Sequence, residues 1–264
     1  DHAAGLSGLD APLAQEDLYD WDKITGLLAA QAPWWTPGTA TGYHAVTQGF
    51  LIGELVRRIS GKSIGRFFND EIAVPLGADF FIGVPESAFS RIGDLVPPED
   101  GETIAVPSGD SIASRTFRNP SVSALQSRTR EWRVAEIPAA NGHGNARSVA
   151  RAHSPLACGG AAFGVRLFGE DTAGTVMVER ISGTDHVLGA PMRFGLGFGI
   201  NSEQVPISPN ENACYWGGWG GSLALIDQDA RMSAAFVMNK MGDGTLGDMR
   251  AGNLLGATYA VLGK

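Results

Sequence analysis

Cysteine, basic runs and long apolar stretches are all scarce in this sequence, and each scarcity removes a class of protein. Only two cysteines, Cys158 and Cys214, occur among 264 residues. They form no CxxC pair and allow at most one bridge, so a disulfide-rich scaffold is excluded. Two reduced thiols are the expected state, and a cytoplasmic location goes with them. Lys and Arg number 20 against 28 Asp and Glu, for a formal net charge of −8. The longest mixed stretch, 128–133, is broken by Thr129, Glu131 and Trp132. Phosphate backbones are bound by clustered cations, so nucleic acid is not an expected partner. No apolar run approaches the roughly 20 residues that span a bilayer, so no membrane span is expected. No charged-then-apolar leader opens the chain, which begins at Asp1 rather than Met and so fits removal of an earlier start.

What is present is a hydrophobic fraction of 44%, ample for a buried core, and 36 glycines. The glycines concentrate at 142–144, 195–199 and 217–221, where they wall a pocket or allow close packing. Helices are expected over 20–31, with Asp20 as cap, and over 45–60, with an apolar stripe of Leu51, Ile52, Leu55, Val56 and Ile59. Ser63 caps a further helix that carries Phe67, Phe68 and Ile72 and stops at Pro75-Leu76-Gly77. The Pro- and Ser-rich stretch 96–141 is long for a connection and is expected to hold irregular structure over a site. Residues 147–156 read as a helix and 194–200 as a closely packed strand. Three antiparallel strands follow at 213–216, 222–226 and 232–237, and a helix at 246–262 closes the chain. The class is α+β, with a helical and loop region over about 20–200 and the sheet with its C-terminal helix over about 210–264. Three strands under one helix lack partners, which upstream residues would supply.

The segment Pro37-Gly38-Thr39-Ala40-Thr41-Gly42-Tyr43-His44-Ala45 places a turn, an extended piece and a tyrosine at the mouth of the 45–60 helix. Near the other end, Trp216-Gly217-Gly218 precedes Trp219-Gly220-Gly221-Ser222 on an expected strand. Together these resemble the second and third motifs of the class C β-lactamase and penicillin-binding-protein-like serine hydrolases. Gly53-Glu54-Leu55-Val56, Pro75-Leu76-Gly77 and Phe80-Phe81-Ile82-Gly83 continue the likeness. The resemblance implies a β-lactamase/DD-peptidase-like fold in which Tyr43 moves protons and the Trp219 N–H is an oxyanion donor. Such a donor is commonly worth ~10²–10³ in rate. Trp216, where β-lactamases carry Lys-Thr-Gly, points to the esterase branch (family VIII carboxylesterases). Ala45, where that motif carries Asn, weakens the β-lactamase reading further. Trp216, Gly217 and Gly218 would then bind substrate. On the residues alone, Tyr43 reads equally as a packing tyrosine, and Trp216 as an aromatic packed on the closing helix.

The first motif of that family, Ser-x-x-Lys, is absent. Three residues before Lys23, Lys62, Lys240 and Lys264 stand Asp20, Ile59, Val237 and Val261. The opening His2-Ala3-Ala4-Gly5-Leu6 resembles the family's His-Thr-Ser-Gly-Leu, which follows the nucleophile helix. The resemblance therefore implies the C-terminal part of one domain over 1–264, with a nucleophile upstream and a companion N-terminal fragment as a partner. The expected substrate is a small-molecule carboxylic ester, hydrolysed through an acyl-enzyme without a cofactor. Non-catalytic binding, or a β-lactamase or D-aminopeptidase activity, is the alternative. His143, in a Gly-rich loop, and Trp132 with Arg133 are further candidates for the pocket. Gly195-Leu196-Gly197-Phe198-Gly199 opens no helix and is not a dinucleotide fingerprint. Gly220-Gly221-Ser222-Leu223-Ala224 lacks the context of a nucleophile elbow. His143 and His153 belong to no metal-ligand pattern.

Overall fold

A computed structural model describes residues 1–99 and 101–263; Asp100 and Lys264, the latter one of the four lysines and the end of the expected domain, lie outside the described residues. Helices α1 (Trp21–Ala30) and α2 (Thr47–Ser60) pack together near the start, followed by α3 (Ile64–Phe68) and the short α4 (Val74–Leu76). A two-stranded ribbon pairs β1 (Phe80–Ile82) with β2 (Gly142–Gly144). Between those strands run α5 (Ile112–Arg118), α6 (Arg130–Val134) and single 3₁₀ turns, the irregular structure expected for 96–141. Then come α7 (Ala146–Ala157), the minimal ribbon of β3 (Ala161–Ala162) and β4 (Val165–Arg166), and α8 (Glu170–Gly174).

The main sheet consists of β5 (Ile181–Thr184), β6 (Pro191–Phe194), β7 (Gly199–Ile200), β8 (Ala213–Gly217), β9 (Leu223–Asp227) and β10 (Met232–Phe236). All neighbours are antiparallel, in the order β10-β9-β8-β7-β6-β5, and α9 (Met249–Val261) ends the described chain. Period-2 alternation gives the sheet two buried faces. Ala213, Tyr215, Leu223 and Leu225 meet Ala251, Leu255 and Tyr259 of α9. Cys214 and Ile226 point the other way, to Ala157 of α7. The result is an α+β protein with helices on both sheet faces. A separate core of Leu9, Leu18, Ile24, Leu28, Phe50, Trp132 and Ile137 holds the helical part together.

Caps mark several helix starts where the sequence puts them. Asp20 accepts from the Lys23 amide at 3.0 Å and Ser63 from Arg66 at 3.3 Å. Three expectations need correction. The sheet does not begin near 210: three of its six strands come from 181–200, so the partners of β8–β10 include strands of this same chain. Residues 194–200 are not one strand, because Gly195 donates to Phe198 across a turn that ends β6 and starts β7. On α2 the large apolar stripe is not the buried face: Ile52 and Leu55 are exposed, and Ile59 is 86% exposed. The buried side carries Thr47, Gly49, Phe50 and Gly53. A Cβ on Gly53 would sit 2.4 Å from the Trp21 ring, and one on Gly49 2.6 Å from the Ala139 amide. Close approach of neighbours thus buries small residues, which a count of large apolar side chains does not register.

Candidate active site

The site starts from a turn at Pro37-Gly38, where Gly38 takes φ +82°, a region open to glycine at little cost. From there the chain runs beside the opening segment. Gly38 donates to Ala3 at 2.9 Å and Gly42 to His2 at 3.1 Å, while Trp34 donates to Gly5 at 2.7 Å. This pairing delivers Tyr43 to the sheet just before α2. Its ring lies 5.2 Å from that of His2, edge-on, and 5.2 Å from that of Trp216 on β8. His2 also meets Phe194 of β6 at 5.1 Å and Trp216 at 5.5 Å. Trp216 faces away from α9, so it belongs to this cluster and not to the packing under the closing helix.

Hydrogen bonds fix the charge states around Tyr43. His44 Nδ1 donates to the Gly42 carbonyl at 2.6 Å while its Nε2 accepts the Leu6 amide at 3.1 Å. His2 Nδ1 accepts the His44 amide at 3.1 Å. Each imidazole has a nitrogen committed as acceptor, so both rings are neutral. Burial above all holds His2 down at about 2 and His44 at about 4. Burial pushes the Tyr43 phenol up to about 12, partly opposed by the Trp216 side chain. The lysines among the described residues are engaged in exposed ion pairs: Lys23 with Asp17, Lys62 with Glu71 and Lys240 with Glu99, each at 2.7 Å. In this arrangement Tyr43 stays protonated at neutral pH.

Beyond Trp216 the β8–β9 turn is braced from outside. Gly218 donates to Ser222 at 2.8 Å, Gly220 to Gly244 at 2.9 Å and Gly221 to Gly218 at 3.1 Å. The Arg250 guanidinium donates to the Gly220 carbonyl at 2.8 Å. Among the described residues the Trp219 N–H donates to no acceptor. Gly217 is tightly packed, since a Cβ there would lie 2.5 Å from the Leu246 backbone.

Of the residues singled out from the sequence, Tyr43 and Trp216 meet directly, and Gly217, Gly218 and Trp219 continue from Trp216. His143 lies on β2 opposite Phe81, its Nδ1 2.7 Å from the Asn141 carbonyl. Among the described residues no aromatic pair or hydrogen bond joins it to Tyr43 or Trp216. Trp132 is buried with Phe50 and Ile24 in the helical core. Its bulk and its place on α6 make it a packing residue. Glycines 142 and 144 likewise serve packing, with Cβ positions 2.5 and 2.4 Å from the Phe80 ring.

Sequence reasoning missed the roles of His2, His44, Phe194 and Asp185 around Tyr43. His44 could have been suspected from its place beside the tyrosine. Asp185 gives no local signal of its tie to the site, because Thr41 and Tyr43 lie more than a hundred residues away.

Residues 1–258 match the Beta-lactamase family. The chain is 32% identical over 251 residues to "Esterase/beta-lactamase LipL" of Mycobacterium tuberculosis (strain ATCC 25618 / H37Rv). That match covers 91% of this chain and 57% of the relative, so the chain spans just over half of that protein's length. Among solved structures, a family VIII carboxylesterase superposes with a TM-score of 0.89 at 37% identity, covering 98% of this chain and 69% of that one. A penicillin-binding-protein homologue from Caulobacter crescentus gives 0.88 at 38% identity, with 98% and 69% covered. With the six-stranded antiparallel sheet, helices on both its faces and the Tyr43–Trp216 meeting in place, these matches establish that the chain belongs to the beta-lactamase family.

Proposed function

We propose that this chain is the C-terminal part of a serine hydrolase that cleaves small carboxylic esters through an acyl-enzyme. The observation that carries the reading is the contact between Tyr43 and Trp216, two motif residues far apart in sequence whose rings lie 5.2 Å apart. In this reading Tyr43 shuttles a proton to and from a serine nucleophile carried outside these 264 residues. The lysine four positions from that serine's predecessor in Ser-x-x-Lys would lower the tyrosine's pKa toward the working range, since a nearby cation favours phenolate. The uncommitted Trp219 N–H supports its role as an oxyanion donor, because an amide already bonded to protein could not turn to a developing oxyanion. Trp216, Gly217 and Gly218 form the substrate wall. The name of the family VIII carboxylesterase favours esters, as does Trp216 itself, while LipL is named for both activities. For the 264 residues alone, the lack of Ser-x-x-Lys and the protonated Tyr43 favour ligand binding without turnover.

Fluorophosphonate labelling followed by denaturing intact-mass spectrometry tests this, paired with hydrolysis of p-nitrophenyl butyrate. The label is expected on a longer chain or companion fragment that carries Ser-x-x-Lys, with the 264-residue species unlabelled and inactive alone. In the active preparation, Tyr43→Phe should lower kcat by ~10²–10⁴, the range of a lost general acid–base group. A labelled, active preparation indifferent to Tyr43→Phe would overturn the assignment.

A further inference from the structure

Asp185 is a fully buried carboxylate directly after β5, at the start of the turn of the β5–β6 hairpin. Two of its bonds are local: Oδ1 accepts the amides of Val187 and Leu188, each at 2.9 Å. The other two reach the site. Oδ1 also accepts the Tyr43 amide at 3.0 Å, and Oδ2 accepts the Thr41 hydroxyl at 2.9 Å. A third tie runs in parallel, with the His186 amide donating to the Thr41 carbonyl at 2.9 Å. Shaping a hairpin needs only the bonds to Val187 and Leu188. The two long-range bonds fall on the residue itself and its neighbour-but-one in the loop that presents the phenol.

We propose that Asp185 is the positioning residue for Tyr43: it clamps the Tyr43 backbone to the β5–β6 hairpin and sets a carboxylate charge beside that backbone. This rests on the reading of Tyr43 as the proton-transfer group. The clamp fixes where the ring enters the site, through a backbone amide that any residue at 43 would offer. Burial is the main reason the phenol keeps its proton, and the Asp185 charge adds a smaller push in the same direction. The titratable groups packed on Tyr43 are few. His2 of the opening segment and the adjoining His44 are neutral, β8 contributes the uncharged Trp216, and the hairpin contributes Asp185.

Bond polarity separates the two roles. In Asp185→Asn the amide oxygen can accept from Tyr43, Val187 and Leu188, while its NH₂ donates to a reoriented Thr41 hydroxyl. That variant removes charge and keeps the clamp. Asp185→Ala removes both, and Thr41→Val removes one strand of the clamp and keeps the charge. The 264-residue chain is labelled with [¹³Cζ]tyrosine and titrated by NMR, with Tyr43 assigned through Tyr43→Phe. Amide exchange at Tyr43 is followed in parallel. Asp185→Asn should exchange as wild type, yet titrate Tyr43 at lower pH by a few tenths of a unit or more. Asp185→Ala should lower the titration and speed Tyr43 amide exchange roughly tenfold or more. Thr41→Val should raise exchange by a smaller factor and leave the titration in place. A folded Asp185→Asn that titrates as wild type overturns the electrostatic role. Unchanged Tyr43 exchange in Asp185→Ala, or in Thr41→Val should the alanine variant not fold, overturns the clamp. Neither measurement needs turnover, so a failure of ester hydrolysis would be read separately.

Discussion

Two buried carboxylates organise different parts of this molecule, and they do so with different kinds of partner. Asp185 accepts three backbone amides on one oxygen and one hydroxyl on the other. Asp227, at the end of β9, accepts the Ala230 amide on Oδ1 and three side chains on Oδ2: Ser208 at 2.9 Å, Asn210 at 2.9 Å and Tyr259 at 2.5 Å. The first joins the loop of Tyr43 to a hairpin. The second joins α9 and the 208–210 loop to the sheet. Burial alone would raise the Asp227 pKa, but the bonds from Tyr259, Ala230, Asn210 and Ser208 carry it below the usual carboxylate range. A carboxylate served by main-chain amides fixes a backbone path whatever the side chains are. One served by side chains depends on each of them, and its loss strands them all.

The largest effect should follow Asp227→Ala. It leaves two hydroxyls, an amide NH₂ and a backbone N–H without their acceptor beside α9, at a cost of about 3–5 kcal/mol. A urea titration with unchanged slope measures it; a loss under 1 kcal/mol would mean that water replaces the carboxylate freely. The next contrast is between asparagine variants. At 227 an amide cannot satisfy both sides: with its oxygen toward Ser208, Asn210 and Tyr259, its NH₂ confronts the Ala230 N–H. The reverse orientation opposes the Asn210 NH₂. Asp227→Asn should therefore cost about 1–3 kcal/mol. Asp185→Asn retains every bond and should cost less than about 0.5 kcal/mol, the size of a change without a named mechanism. Equal losses at the two positions, in paired denaturant melts, would break the distinction.

How much of this was legible beforehand follows the same division. The β8–β9–β10 meander announced itself through its strand pattern and turn, and α1 through its cap and periodicity, because those signals are local. Tyr43 and the Trp216 turn were found through motif spacing, which reports a shared architecture. β5 and most of β6 escaped because four residues give period-2 alternation little length in which to appear, and β7 was read only as part of one strand over 194–200. The buried face of α2 escaped because Gly49 and Gly53 gain burial from Trp21 and Pro138 rather than from their own bulk. Asp185 escaped for the reason given by its partners: backbone amides leave no trace in composition, and the loop it holds lies 142 positions from it at Tyr43.

A change of pH separates the two regions in another way. His2 and His44 have folded pKa values depressed to about 2 and about 4, against about 6.5 when unfolded. Below about pH 6.5 the unfolded chain binds protons that the folded one refuses, so stability falls as pH drops from there toward 4. Asp227 is also depressed, but its unfolded reference is about 3.9, so its contribution remains whole above that value and is lost only as pH falls through the lower folded one. Between pH 6.5 and 4, then, the site region weakens while the α9 region does not. Hydrogen exchange at pH 7 and pH 5, corrected for intrinsic rates, should show loosening in peptides around His2 and Tyr43 and, by the same sign, around His143 and His153, which burial also depresses. Peptides of β9 and α9 should keep their protection. Uniform loosening would mean that the two regions open as one cooperative unit, and would make the histidine pair a determinant of global rather than local stability.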